Sequence, residues 1–317
     1  MSLGRDLVTE AGPVRGPRPD LADALERGEI IFFPACPVEL PPDEDLERLR
    51  AELPRQLRAK NVSYHPESRR LRGVTARGGL RDAVLDTLTA HGARVRAFLR
   101  ECMPALTEGW TVGTTSFRPI QERGRGLSAH ASNELIHFDA GAYGATDGDR
   151  ILRFFVNVNP EEDRMWCTKG TFPDVFFRYG TEAGVADSRS LGRGPVDRLR
   201  GRLLRAVAKA GLGEAVLADS SPYDRLMRRF HNYMKDTPSF QERDESWREI
   251  RFPPFSAWMV LTDMVSHASL SGQHALVDTF ILRLAACRHP ELAPINILRG
   301  GSPPDARGPK LPRAGGR

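Results

Sequence analysis

The stretch Ile151-Leu-Arg-Phe-Phe-Val-Asn-Val-Asn159 decides how the rest of the chain is read. In an extended segment successive side chains alternate between two faces. Leu152, Phe154, Val156 and Val158 then share one side, and Ile151, Arg153, Phe155, Asn157 and Asn159 take the other. The first face is wholly apolar and is expected to pack on a core. The second sets a cation and two amides beside a large aromatic ring. Two readings of that second face are open: a water-facing surface, or the lining of a polar barrel interior. In the latter, such groups are costly to bury unless they meet a ligand.

Working outward, period-two patterning predicts further strands over residues 110–119, 133–139, 257–263 and 275–284. Residues 29–34 read as a buried strand stopped by Pro34. Helical spacing of apolar residues predicts helices over 21–27, 43–57, 80–103, 195–210 and 222–235. Strands dominate the middle and the end, with helices around them. The expected class is α+β, a β-sandwich or distorted barrel buttressed by helices. Residues 1–18 read as a flexible lead and 300–317 as a disordered basic tail. Between them a single domain is expected over 19–299, with a helical insertion at about 168–250.

With 317 residues, 40% hydrophobic and 27% charged, the chain has ample material for a core, and wholesale disorder is excluded. No apolar run approaches the roughly 18 residues of a membrane span, and no secretory signal is recognised. The four cysteines, Cys36, Cys102, Cys167 and Cys287, show no C-x-x-C spacing. Reduced thiols in a cytoplasmic protein are therefore expected. The net charge is +5, and 41 of the 46 basic residues are arginine. Arginine grips carboxylates and phosphates through a two-pronged fork, so an anionic partner is expected.

The chemistry-bearing residues converge around the same strand. In Leu135-Ile-His-Phe-Asp139 the side chains of His137 and Asp139 lie on one side of an extended segment. A second histidine, His267, follows far downstream in Leu261-Thr-Asp-Met-Val-Ser-His267. Two histidines and one carboxylate can occupy one face of an octahedral iron(II), leaving positions open for an oxoacid and O₂. His137 as a hydrogen-bonded core residue is the plainer alternative. Arg153, 16 residues after His137, would point into the same cavity and clamp the remote carboxylate of a five-carbon dicarboxylate. Asn157 on the same face and Thr279 on the last strand could add hydrogen bonds. Arg118 shares a strand face with Thr114 and Ser116, as a surface residue or as a second anion anchor. His231 and Lys235 lie four apart on one helix, on a solvated or a substrate-lining face. His65, His91 and His289 read as surface residues, His130 as part of a Gly/Arg-rich loop, and His274 as open to either reading.

These motifs, in this order, resemble the Kdo hydroxylase family, iron(II)- and 2-oxoglutarate-dependent dioxygenases acting on 3-deoxy-D-manno-oct-2-ulosonic acid (Kdo) in lipopolysaccharide. The resemblance is carried by Gly28-Glu-Ile-Ile-Phe-Phe-Pro34, Lys60-Asn-Val-Ser63, Thr115-Ser-Phe-Arg-Pro119 and His137-Phe-Asp139. It continues through Arg150-Ile-Leu-Arg-Phe-Phe-Val-Asn-Val-Asn-Pro160, Trp166, Tyr223-Asp224, His231, Met234-Lys235 and Ser266-His-Ala-Ser-Leu-Ser-Gly-Gln273. It implies a double-stranded β-helix (a jelly-roll or cupin-like core) with iron on His137, Asp139 and His267. It further implies 2-oxoglutarate and O₂ as cosubstrates, Arg153 as the 2-oxoglutarate anchor, and Arg118, Lys60, His231 or Lys235 near the sugar acid or its phosphates. The implied reaction hydroxylates the deoxy carbon (C3) of Kdo on a lipid A precursor, in the cytoplasm at the inner face of the inner membrane. The chain departs from the family at Phe138, where an aliphatic residue is usual, and over residues 167–193. Rival readings are an oxygenase acting on another anionic substrate, such as nucleic acid or a protein side chain, and a cupin-like sugar-acid-binding protein without turnover. No nucleic acid is expected, because no aromatic-interleaved basic strand is present.

Overall fold

The alternation read at residues 151–159 is realised in a computed structural model of the chain, which describes residues 7–141, 146–186, 191 and 221–300. In chain order the elements are β1 (Val8–Glu10), α1 (Pro19–Glu26), β2 (Ile30–Phe33), α2 (Asp43–Glu52), β3 (Val62–His65) and β4 (Arg70–Arg72). Next come α3 (Gly78–Cys102), β5 (Thr111–Arg118), β6 (Arg150–Asn157), β7 (Arg164–Thr168), α4 (Phe172–Tyr179), α5 (Pro222–Asp236) and α6 (Pro238–Gln241). The described chain closes with β8 (Arg248–Phe252), β9 (Ala257–Leu261), β10 (Ala268–Ser271), β11 (Ala275–Leu282) and α7 (Pro294–Leu298).

The strands form an eight-stranded sheet, ordered β1-β2-β9-β6-β11-β5-β3-β4, and a three-stranded sheet, ordered β10-β7-β8. Among the described strands only the β1–β2 pair is parallel. At the centre, β6 lies between β11 and β9, with Arg153 opposite Thr279 and Val260 and Phe155 opposite Val277 and Trp258. The apolar face of β6 packs on the helical side: Phe154 meets Phe98 of α3 at 5.9 Å and Phe33 of β2 at 6.4 Å. Its other face packs on the smaller sheet. Phe155 meets Trp166 of β7 edge-on at 4.9 Å and stacks on Trp258 at 5.0 Å, and Trp258 stacks on Phe252 of β8 at 3.8 Å. Truncating one such buried ring would cost about 3–5 kcal/mol, so this plug fixes the spacing of the two sheets.

Helix α3 buries Leu80, Val84, Leu88, Val95 and Leu99 along one stripe. It can lie close to the sheet because Gly92 faces β5, where an added Cβ would sit 2.2 Å from the Thr115 hydroxyl. Helix α5 starts at Ser221, whose hydroxyl accepts from the Asp224 N–H, with Pro222 at the first helical position. β7 and β8 pair antiparallel, so residues 169–247 form one long excursion between two neighbouring strands.

Three expectations need amendment. Residues 8–10, read as part of a flexible lead, form the edge strand β1. The strand expected over 133–139 is reduced to one bridge, His137 with His267, flanked by single bonds from Ser269 N–H to the Asn133 carbonyl and from Asp139 N–H to the Thr262 carbonyl. On the opposite side the Gln241 side chain takes the place of a neighbouring strand, accepting from Ile136 N–H at 2.8 Å and donating to the Ile136 carbonyl at 3.0 Å. Strands β3, β4, β7, β8 and β10, each five residues or shorter, have no counterpart among the sequence expectations. The helix expected over 195–210 and the tail from 301 onward lie outside the described residues.

Candidate metal centre and its anion pocket

The bridge between the two sheets' loops creates the site. His137 and His267 exchange backbone hydrogen bonds, N–H to carbonyl, at 3.1 and 2.9 Å. Each imidazole then turns its Nδ1 to the carbonyl two residues before it, His137 to Leu135 at 2.7 Å and His267 to Val265 at 3.0 Å. A carbonyl can only accept, so Nδ1 carries the proton in both rings and Nε2 presents a lone pair. Asp139, two residues after His137, brings an oxygen to 3.7 Å from the His137 Nε2. One donor atom from each of His137, Asp139 and His267 lies within 4.8 Å of the others. Burial pushes both imidazoles below their ordinary range. Burial alone would raise the Asp139 carboxyl, but the Arg153 guanidinium beside it holds it well below the usual carboxylate range. Two neutral imidazoles and one carboxylate, preset in this way, suit a divalent first-row metal ion.

Trp166 stacks on the His267 ring at 5.2 Å, and His231 meets the His137 ring edge-on at 4.9 Å. Phe138 points away from this centre, packed on Phe172 at 5.3 Å and Phe230 at 6.0 Å, so the aromatic between the two candidate ligands is a core residue.

Beside the triad opens a cavity of about 290 Å³, the small end of the range for ligand sites. Arg153, Thr279, Arg118, Lys60, His231 and Lys235 all line it, together with Ser116, Asn133 and His130. Arg153 Nε lies 2.8 Å from Asp139 Oδ2, close enough for a strong charge contact yet off the N–H direction, so neither atom completes a hydrogen bond. Arg118 sits over the Phe155 ring at 5.7 Å, and burial brings its guanidinium down to about 10. Lys60 donates to the Ala131 carbonyl and the Asn133 amide oxygen, both at 3.1 Å. Lys235 donates to the carbonyls of His130 at 3.2 Å and Ser132 at 2.8 Å. Burial lowers Lys60 and Lys235 to about 8 each. His231 gives its Nδ1 to the Phe138 carbonyl at 2.7 Å, and burial takes it down to about 4, leaving a neutral ring.

Asn157 stands apart from the cavity. Its amide nitrogen donates to the carbonyls of Glu162 and Phe252, both at 2.9 Å, and its oxygen accepts from Asn159 N–H at 3.1 Å. All its bonding is spent on backbone that holds the end of β6 to the β8 loop. Sequence reasoning also missed a carboxylate: Glu122, 2% exposed, which lies behind Arg118 and draws Arg164 of β7 to 3.0 Å. His130, read as a loop residue, reaches the pocket mouth and pairs with Asp236 at 2.8 Å. His91, read as a surface residue, is fully buried beside Asp278 at 3.2 Å, on the far side of the sheet.

A facial pair of histidines with one carboxylate, set between two sheets and opening on a cationic pocket, is the arrangement of the mononuclear non-haem iron oxygenases. The chain belongs to the 3-deoxy-D-manno-oct-2-ulosonic acid (Kdo) hydroxylase family, whose model matches residues 10–300. It is similar to a solved cobalt(II) complex of the Kdo hydroxylase KdoO, a non-heme Fe(II) alphaketoglutarate dependent dioxygenase. The TM-score is 0.75 and the identity 25%, over 96% of this chain and 100% of that one. The complex of KdoO with alphaketoglutarate and Fe(III) matches with a TM-score of 0.73 and 26% identity, over 92% of this chain and 95% of that one. No curated protein sequence matches the chain.

Proposed function

We propose that the chain is an Fe(II)- and 2-oxoglutarate-dependent dioxygenase that hydroxylates C3 of Kdo on a lipid A precursor. The observation that carries this reading is the union of the His137–Asp139–His267 donor set with a pocket lined by four cations, Lys60, Arg118, Arg153 and Lys235. The finer fold, a double-stranded β-helix, is supported by the path of the chain. From β5 onward it passes back and forth between the sheets: β5 in the large one, residues 133–139 beside β10 of the small one, β6 in the large, the β7–β8 pair in the small, then β9 in the large, β10 in the small and β11 in the large. The chain from residue 19 to 299 is read as a single domain, to which the edge strand β1 adds residues 8–10.

His137 and His267 through Nε2, and Asp139 through a carboxylate oxygen, would hold the iron. When bound, iron(II) supplies the redox chemistry by which 2-oxoglutarate and O₂ are consumed and a C–H bond is oxidised. One oxygen atom ends in succinate and the other in the new hydroxyl, and CO₂ leaves. Arg153 offers its guanidinium to the remote carboxylate of 2-oxoglutarate, with the Thr279 hydroxyl opposite it on β11. Arg118, Lys60 and Lys235 receive the sugar-acid carboxylate or neighbouring phosphates, and the neutral His231 adds one hydrogen-bonding nitrogen. Trp166, Phe155 and Val277 wall the pocket with apolar surface and exclude water from the reacting end.

Among the described residues no helix is long and apolar enough to cross a membrane. Contact with a lipid-anchored acceptor at the cytoplasmic face of the inner membrane would therefore be peripheral, helped by the net charge of +5. The test measures succinate release and acceptor hydroxylation with aerobic iron(II), offering Kdo-bearing lipid A, free Kdo and oligonucleotides in parallel. Turnover with the Kdo-bearing lipid, lost in His137→Ala, is the expected outcome. Undiminished turnover in that variant, or preference for oligonucleotides, would overturn the reading.

A further inference from the structure

We infer that Glu122 is the positioning residue of the acceptor subsite: a buried carboxylate that aims Arg118 directly and Lys60 through Asn133. This inference rests on the reading of Arg118 and Lys60 as the groups that receive the acceptor's anions. Glu122 leaves a loop after β5, is 2% exposed, and has every oxygen engaged. Its Oε1 faces Arg164 Nη2 at 3.0 Å and Arg118 Nη1 at 3.4 Å. Its Oε2 accepts from Asn133 Nδ2 at 3.1 Å and lies 3.6 Å from Arg125 Nη1. Asn133 is a relay, because the oxygen of the same amide accepts from Lys60 Nζ at 3.1 Å. Three arginines around one carboxylate leave the group cationic, and the pull of Arg118 and Arg164 brings the buried acid down to about 2.

Arg164 is fully buried behind the pocket, its Nη1 spent on the Gly272 carbonyl at 3.3 Å, whereas Arg118 lines the cavity. The carboxylate thus sets two like charges side by side, one as a fixed support and one facing the ligand. Without it Arg118 and Arg164 repel across a buried space, and Arg118 loses its orientation.

Two effects of removing the charge oppose each other, which makes the sign of the result decisive. If Glu122 only balanced charge, Glu122→Gln would make the pocket more positive and tighten an anionic acceptor. If it positions Arg118 and Lys60, the same change weakens acceptor binding. In the full-length, iron-loaded enzyme, Glu122→Gln is expected to raise the KM for Kdo-bearing lipid A by about tenfold, as loss of a charge-assisted contact does. The KM for 2-oxoglutarate is expected to shift less than about twofold, since Arg153 lies outside the network. Asn133→Leu breaks the relay between Glu122 and Lys60, leaves the Arg118 contact on Oε1 in place, and should raise the acceptor KM by a smaller factor than Glu122→Gln. It stands in for the first variant should Glu122→Gln fail to fold. An unchanged or lowered acceptor KM, or equal rises for both substrates, would overturn the inference. A wild-type enzyme that does not turn over the Kdo-bearing lipid would instead overturn the functional reading itself.

Discussion

The two ends of the pocket are built on different principles. The metal end is assembled from backbone: a reciprocal bridge joins His137 to His267, and carbonyls two residues upstream of each fix both imidazoles. The anion end is assembled mainly from side chains: Glu122 holds Arg118 directly and Lys60 through Asn133, while Lys235 arrives from α5 and rests on the carbonyls of His130 and Ser132. The difference teaches that geometry is inherited from the fold at one end and negotiated among side chains at the other. Conservative changes at the metal end should therefore be all-or-none, and those at the anion end graded.

The harshest break is His137→Ala, which leaves two donors; succinate release is expected to fall to the uncatalysed background, and bound iron measured by metal analysis to fall with it. Next is Arg153→Ala. Losing a two-pronged contact to a carboxylate should raise the KM for 2-oxoglutarate by roughly a hundredfold, and Arg153→Lys should recover part of it. A third test uses pH. Lys60 and Lys235 titrate at about 8, so acceptor kcat/KM should decline as pH rises through 8 while each lysine sheds its charge. A Lys60→Met Lys235→Met double variant should show a lower but flatter profile over pH 7–9, and an unchanged slope would break the assignment. The smallest effect belongs to Asn157→Ala. It removes three bonds to backbone and should lower stability by about 2 kcal/mol in denaturant titration, leaving the KM for 2-oxoglutarate in place.

The contrast also explains what could be read in advance. His137 and Asp139 were legible because an i, i+2 pair in extended chain shares a side whatever the tertiary context. Arg153 was legible for the same reason, and so were the apolar partners of Phe154. Asn157 shows the limit of that logic. It shares a face with Arg153, but four residues of strand separate them by about 13 Å. Phe155 stands between them, stacked into the plug with Trp166 and Trp258, so one face borders two compartments. Residues 133–139 were legible in direction and not in pairing, because a glutamine from α6 supplies the bonds that a neighbouring strand would. Glu122 carries no local signal at all. Its burial is created by Arg164 from β7, Arg118 from β5 and Asn133 from the metal loop, and no window of sequence contains all three. The His91–Asp278 pair is hidden in the same way: each residue looks solvent-bound until α3 is laid on β11.

The excursion between β7 and β8 has a consequence for how such an enzyme can diversify. Both ends of residues 169–247 are anchored in one hairpin, from Thr168 paired with Arg248 to Arg164 paired with Phe252. The described part of that excursion delivers His231 and Lys235 to the pocket, while the candidate metal ligands and Arg153 belong to strands and loops outside it. Insertions or deletions within the excursion that spare Gln241, His231, Phe172 and Phe230, the residues bracing 136–138, therefore change what is admitted without disturbing how it is oxidised. Selection for a new acceptor has the rest of that piece of chain on which to act, while the few bracing residues let the oxidising centre be inherited unaltered.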